Sequence, residues 1–178
     1  MTALAGACYV DRRISSGIGC RGDDMMYNNA TYNDPAVIRA TAVIEGGPAA
    51  PELRGEMQFF QRSDGVLVTV QVFGLPADNA SGFFGLHIHE GDSCGGADFS
   101  DTGGHYDPVG APHPRHAGDL PPLLNCSGRA YLAVLTDRFT VAEIIGRTVV
   151  IHGGSDDFRS QPAGDAGEKI ACGVIRRG

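Results

Sequence analysis

The sequence predicts an all-β domain, either a sandwich or a barrel, and three of its features support that fold class. It contains 26 glycines and 10 prolines but only 7% aromatic residues and no tryptophan, so turns are favoured over long helices. Apolar residues alternate with polar ones at period two, as they do in half-buried strands. Turn-forming residues separate these runs at the spacing of consecutive short strands.

Seven runs of the sequence are predicted to be strands. In chain order they cover residues 36–45, 54–61, 66–73, 82–90, 129–136, 147–152 and 169–175. The second and third runs are joined by Arg62-Ser63-Asp64-Gly65, whose Asp-Gly pair favours a hairpin turn. The four valines of residues 66–72 share one face of the third run, with Leu67, Thr69 and Gln71 on the other, which is a period of two.

Two segments between the strands, Gly91–Leu124 and Gly153–Glu168, are rich in glycine, proline and aspartate. They are too long for tight connections in a compact domain, and long loops of this kind are usually functional or disordered. The polar residues 1–35 predict a flexible N-terminal arm, and residues 36–178 are predicted to form one domain.

The composition also restricts the partners and the location. Fourteen basic against 21 acidic residues give a formal charge of −7, which argues against nucleic acid or an anionic membrane as a partner. The sequence contains no stretch of 18 apolar residues, so no membrane-spanning helix is predicted. No secretory signal is readable, so a cytoplasmic location is expected, whereas a trimmed or misassigned start would allow a periplasmic or extracellular one. The assembly state stays open, with a homodimer as one candidate.

All six histidines lie between residues 87 and 152, and they indicate a metal centre. His87 and His89 are two apart on a predicted strand, so their side chains leave the same face about 6.5 Å apart and can reach one ion. His113, His116 and Asp119 follow in a proline-flanked loop and provide three of the four ligands of a tetrahedral zinc site.

The remaining two histidines leave the division between two ions unsettled. His152 ends a predicted strand and completes a set of three with the first pair. His105 follows Gly103-Gly104, which permit a close approach of the backbone. Judged from the residues, His105 could serve either ion or, as an imidazolate, both.

Five motifs of the chain resemble the copper/zinc superoxide dismutase family in order and approximate spacing. They are GLHIHEGDSC, GGHYDP, HAGDLPPL, IIGRTVVIHGGSDD and GDAGEKIACGVI, and the resemblance covers about residues 38–175. It is closest to the bacterial or superoxide-dismutase-like branch. The resemblance implies an eight-stranded antiparallel Greek-key barrel of the immunoglobulin-like sandwich kind, with two long functional loops. It also implies an oxidoreductase that disproportionates superoxide to O₂ and H₂O₂.

The same resemblance implies which residues form the site. Copper is expected on His87, His89, His105 and His152. Zinc is expected on His105, His113, His116 and Asp119. His105 would then be an imidazolate bridge with a catalytic role. Asp156 matches a carboxylate that accepts hydrogen bonds from one copper histidine and one zinc histidine, here His87 and His113.

Cysteines and one lysine complete what the resemblance implies. Cys94 and Cys172 match a disulfide, and closing a loop of about 79 residues is worth roughly 4–5 kcal/mol on the chain-entropy model. Lys169 stands where the family has an arginine at the copper mouth, so it is expected to attract superoxide, with the charge kept but the planar donor geometry lost. Cys126 is expected to be a thiol without a partner, and the roles of Cys8 and Cys20 stay open.

Two other functions remain as alternatives. One is a non-catalytic or weakly active copper/zinc-binding protein for metal storage or trafficking, which Lys169 favours and the complete ligand set opposes. The other is a mononuclear zinc hydrolase or a cupin-like enzyme that uses His87, His89 and a third histidine. Cupins need a glutamate ligand a few residues later, whereas Glu90 directly follows His89 and faces the other side of the strand.

Overall fold

The computed structural model describes residues 39–178. The predicted arm, residues 1–35, lies outside them, together with Cys8 and Cys20. The strands of the described part are β1 (Arg39–Gly46), β2 (Arg54–Arg62), β3 (Gly65–Phe73), β4 (Phe83–Phe84), β5 (Leu86–His89), β6 (Leu123–Leu124), β7 (Arg129–Thr136), β8 (Thr148–His152), β9 (Lys169–Val174) and β10 (Arg176–Arg177). A short α-helix, α1 (Val141–Ile144), precedes β8, and a 3₁₀ helix (Ala97–Thr102) lies in the long loop after β5.

The strands form an antiparallel sheet in the order β5-β8-β9-β1-β2-β3-β7, and β10 adds to β1. After β3 the chain crosses to the opposite edge of the sheet, where β5 pairs with β8, and β7 then returns to pair with β3. The short strands β4 and β6, which flank β5 in the sequence, pair with each other outside this sheet. Such a return across non-consecutive strands is the crossover of a Greek key. The all-β Greek-key barrel expected from the sequence is therefore confirmed. Within residues 39–178, no helix has the length and the apolar character needed to cross a membrane.

The core lies on the inward faces of these strands. The valines at positions 66, 68, 70 and 72, whose spacing puts them on one face of β3, are at most 1% exposed. They join a cluster of buried aliphatic and aromatic residues that includes Met57, Phe59 and Ile151. This continuous core gives β5 and β8 a rigid base.

The predicted strand 82–90 is divided at Gly85, which is a correction to the sequence-based prediction. β4 pairs with β6, whereas β5 pairs with β8. A Cβ at Gly85 would lie 2.9 Å from Cβ of Ala166 and 3.3 Å from Cβ of His152, so a side chain there would displace a neighbour. The sequence did not predict β6, β10 or α1, which are too short to show a periodic pattern.

A disulfide joins Cys94 to Cys172 and is confirmed, with the two Cα atoms 5.8 Å apart. It ties the long loop after β5 to β9 across a sequence separation of 78 residues. Such a closure stabilises the fold by roughly 4–5 kcal/mol on the chain-entropy model. Cys126 is exposed and forms no disulfide with another cysteine of residues 39–178.

Candidate metal centre

Strands β5 and β8 are neighbours in the sheet and carry three of the six histidines. His87 and His89 lie on β5, and His152 is the last residue of β8. All three are nearly inaccessible to solvent. Because His87 and His89 are two apart, their side chains leave the strand on the same side.

The long loop after β5 turns back and runs beside that strand. Ile88 receives a backbone hydrogen bond from Tyr106 and donates one to Gly118, with N···O distances of 2.8 and 2.9 Å. These bonds place His105 opposite His89 and Asp119 opposite His87. The loop thereby brings its donors to the histidines of the sheet.

Two groups of metal-ligating side chains result, and within each group one donor atom per residue lies within 4.8 Å of the others. The all-histidine group is His87, His89, His105 and His152. The mixed group is His105, His113, His116 and Asp119. The seven predicted ligands are thus brought together, and His105 belongs to both groups.

In the all-histidine group, a hydrogen bond occupies one nitrogen of each of three rings. Nε2 of His87 donates to Asp156, Nδ1 of His89 donates to the carbonyl of Gly103, and Nδ1 of His152 donates to the carbonyl of Gly167, at 2.9, 3.0 and 3.1 Å. The other nitrogen of each ring then carries the lone pair. Nε2 of His89 and Nε2 of His152 face each other at 3.3 Å. A cation between them satisfies both lone pairs.

Burial keeps these rings neutral. It lowers the pKa of His89 to about 2 and the pKa of His152 to about 3. Burial also lowers the pKa of His87. At neutral pH the lone pairs are therefore available to a metal ion without prior loss of a proton.

In the mixed group, the carboxylate of Asp119 lies among three rings. Its Oδ1 accepts a hydrogen bond from Nδ1 of His105 at 2.7 Å. Its Oδ2 lies 3.1 Å from Nδ1 of His113 and 3.3 Å from Nδ1 of His116. Burial alone would raise the pKa of Asp119, but the hydrogen bond from His105 and the nearby rings hold the pKa below its usual value.

Several buried ring nitrogens in these groups have no hydrogen-bond partner. They are Nδ1 of His87, Nε2 of His105, Nδ1 of His113 and Nδ1 of His116. Buried polar atoms are normally satisfied, so a set of orphaned lone pairs in one place is what a metal site requires. Four imidazoles suit copper, and three imidazoles with a carboxylate suit zinc. The donors therefore fit both ions.

Asp156 connects the two groups. Its Oδ2 accepts from Nε2 of His87, and its Oδ1 accepts from Nε2 of His113, both at 2.9 Å. Burial would raise the pKa of Asp156, but these bonds and one from the backbone N–H of Phe158 lower it to about 2. The ionised carboxylate holds the proton of each ring on Nε2 and leaves Nδ1 free to bind metal.

Lys169 is the single lysine of the sequence. It is the first residue of β9 and lies opposite His152 of the all-histidine group. Its ammonium donates to Oγ1 of Thr102 at 2.7 Å and to the carbonyl of Gly103 at 2.9 Å. That carbonyl also accepts from His89, so the lysine and the ring share one acceptor. Burial lowers the pKa of Lys169. Its charge contributes to the lowered pKa of His89 and His152.

The sequence analysis did not identify some of the residues that shape the site. The carbonyls of Gly103 and Gly167 orient two rings, and backbone acceptors leave no signature in residue type. The side chain of Gln161 accepts from the backbone N–H of His113 at 3.0 Å and donates to its carbonyl at 2.8 Å. The two partners are 48 positions apart, which no local pattern reveals.

Comparisons with known proteins find similarity to one family. A family model described as copper/zinc superoxide dismutase matches residues 53–175. Cu-Zn superoxide dismutase 2 of Aquifex aeolicus is 35% identical over 140 residues, which cover 70% of this chain and 80% of that protein. The Cu-Zn superoxide dismutase of Deinococcus radiodurans is 34% identical over 146 residues, covering 70% and 78%. An extracellular Cu-Zn superoxide dismutase of Rattus norvegicus is 33% identical over 140 residues, covering 72% and 57%.

Proposed function

Because the chain belongs to the copper/zinc superoxide dismutase family, it is an oxidoreductase that acts on superoxide, and we propose that its six histidines and Asp119 are the metal ligands. In this assignment copper is held by His87, His89, His105 and His152. Zinc is held by His105, His113, His116 and Asp119. The observation that carries the proposal is the overlap of the two donor groups at His105.

When bound, copper supplies the one-electron exchange by which one superoxide is oxidised to O₂ and a second is reduced to H₂O₂. His105 has the geometry to serve this reaction from both ring nitrogens. Its Nδ1 faces Asp119 at 2.7 Å, and its Nε2 is buried without a partner. We assign to this Nε2 two roles: it would help to hold copper when the ion is bound, and in its protonated form it would deliver one of the two protons that H₂O₂ requires, the second coming from water.

We assign the attraction of superoxide to Lys169. A protein with a formal charge of −7 repels a small anion on average, so rapid turnover needs a local positive charge at the site. The ammonium of Lys169 is held in place by Thr102 and Gly103, next to the loop that carries His105. Compared with arginine, lysine provides a point charge rather than a planar pair of donors.

The proposal extends to the partners and the location of the protein. A homodimer stays a proposal: Val43 and Tyr131 are 67% and 69% exposed, but Glu56 and Gln71 lie between them in the sheet register, so they form no continuous apolar patch. The formal charge supports the proposal that neither nucleic acid nor a membrane is a partner. The Cys94–Cys172 disulfide favours an oxidising compartment over the cytoplasm expected from the N-terminal sequence.

The test is superoxide decay with the metal-free protein and with protein reloaded with copper and zinc. We expect activity only after loading, and we expect His152→Ala to abolish it while zinc remains bound, because His152 lies only in the proposed copper set. Cys126→Ser is the control, since it removes an exposed thiol that could bind copper adventitiously. Tight copper binding by the wild-type protein without activity would instead favour the storage or trafficking function. Undiminished activity of His152→Ala would overturn the ligand assignment.

A further inference from the structure

Arg138 lies in the short connection between β7 and α1, outside both donor groups. The residues around it fix this connection to the core. Phe139 is buried and packs edge-on against Phe59, with ring centroids 6.4 Å apart. The backbone N–H of Val141 donates to the side chain of Gln61 at 2.9 Å. Arg138 is therefore presented from a well-anchored part of the chain.

The guanidinium of Arg138 points at the backbone of the zinc-ligand segment, residues 113–119. Its Nη1 donates to the carbonyls of Pro114, His116 and Asp119, at 3.1, 3.3 and 3.1 Å. Three carbonyl oxygens that converge on one point repel one another unless a cation lies between them. A guanidinium provides that charge in a fixed geometry, and hydrogen bonds from a charged donor are stronger than neutral ones.

The segment that these bonds hold carries three of the four proposed zinc ligands. His116 and Asp119 are themselves two of the residues whose carbonyls Arg138 binds, and Pro114 directly follows the ligand His113. A bend in this segment sets the relative positions of the three donors. On the far side, Gln161 holds the backbone of His113 through two hydrogen bonds.

We propose that Arg138 is a positioning residue for the zinc site, which it serves by holding the backbone of residues 113–119 in the bend that brings His113, His116 and Asp119 together. It touches no donor atom and acts only through the three carbonyls. The proposal rests on the zinc ligands assigned above. It predicts that the retention of zinc depends on a side chain that is not a ligand.

The test compares Arg138→Met with the wild-type protein by two measurements that need no activity. One is zinc affinity, obtained by competition with a chromogenic chelator. The other is the visible spectrum of Co²⁺ placed in the zinc site, which reports ligand geometry. We expect Arg138→Met to lower zinc affinity about 10–100-fold, the usual effect of removing a partner that supports metal ligands, and to alter the Co²⁺ bands.

Two further variants make the result decisive. Arg138→Lys restores a cation with three donors and is expected to recover most of the lost affinity, which also keeps the test informative should Arg138→Met fold poorly. Arg54→Met is the matched control, because Arg54 is an exposed arginine whose Nη1 also donates to a backbone carbonyl, that of Glu52. It is expected to bind zinc as the wild type does.

Unchanged zinc affinity and unchanged Co²⁺ bands in folded Arg138→Met would overturn the proposal. So would an equal loss of affinity in Arg54→Met, since the effect would then come from charge alone. A wild-type protein that binds zinc weakly, or still binds it tightly after His113→Ala, would instead contradict the ligand assignment. Failure of the positioning role and failure of the proposed site are therefore distinguishable.

Discussion

Replacing Asp156 by asparagine is expected to weaken copper binding while zinc binding is largely kept. Oδ1 of Asp156 accepts two hydrogen bonds, from His113 and from the backbone N–H of Phe158 at 2.7 Å, whereas Oδ2 accepts one, from His87. The single oxygen of asparagine will therefore take the Oδ1 position. Its amide nitrogen, which only donates, then faces Nε2 of His87.

Two donors cannot face each other, so His87 must move its proton from Nε2 to Nδ1 or lose its partner. Nδ1 is the nitrogen proposed to bind copper. A hydrogen bond to a charged group contributes roughly 1.5–3 kcal/mol. Removing a supporting partner usually costs about 10–100-fold in metal affinity, which corresponds to about 1.4–2.7 kcal/mol. We expect a loss of that size for copper and a change of less than about threefold for zinc.

The assay is competition of the metal-free protein with a chromogenic chelator, performed separately for each metal. Asp157→Asn is the matched control, because it makes the same change of charge at the next residue, which is exposed and bonds only within its own loop. Copper affinity equal to the wild type in Asp156→Asn, or a larger loss for zinc than for copper, would refute the reasoning.

Two further predictions concern pH and charge. The folded-state pKa values of His89 and His152, about 2 and about 3, lie below the usual 6.5, so the unfolded chain binds more protons between these values. The contribution of these two histidines to the free energy of unfolding of the metal-free protein should therefore be complete above about pH 6.5. Below that pH the free energy of unfolding should fall toward pH 3, by up to about 1.4 kcal/mol per pH unit for each histidine. A free energy of unfolding from urea denaturation that stays constant between pH 7 and pH 4 would contradict this. Lys169→Met should slow superoxide decay about tenfold at low salt and weaken its dependence on ionic strength, whereas Arg54→Met, which removes the same charge elsewhere, should not. A slower rate with the wild-type salt dependence would mean that Lys169 acts through its loop rather than by attraction.

Much of the fold was predictable because its signals are local. The valines of β3 alternate along the strand, and the turn at Asp64-Gly65 follows directly from residue type. The split of the fourth predicted strand at Gly85 was not predictable, because its two halves pair with β6 and β8, which are distant in sequence. Sequence periodicity describes one strand at a time and does not report its partners.

The candidate site, like the fold, was predictable from the sequence only in part. Spacing alone placed His87 and His89 on one face, but it left His105 without a definite ion. Its position depends on the backbone hydrogen bonds between the long loop and β5, which form only in the folded chain. Arg138 was missed for a related reason, since its partners are backbone carbonyls 19 to 24 positions away and any residue could provide them.

The shared residue His105 and the carboxylate of Asp156 have a thermodynamic consequence for metal loading. Both connect the two donor groups, so an ion that orders one group changes the free energy of filling the other. Coupling of this kind is reciprocal: if bound zinc raises the affinity for copper by some factor, bound copper must raise the affinity for zinc by the same factor. The two metals are then mutual allosteric effectors, and the order in which they arrive changes the path of assembly but not the stability of the fully loaded protein.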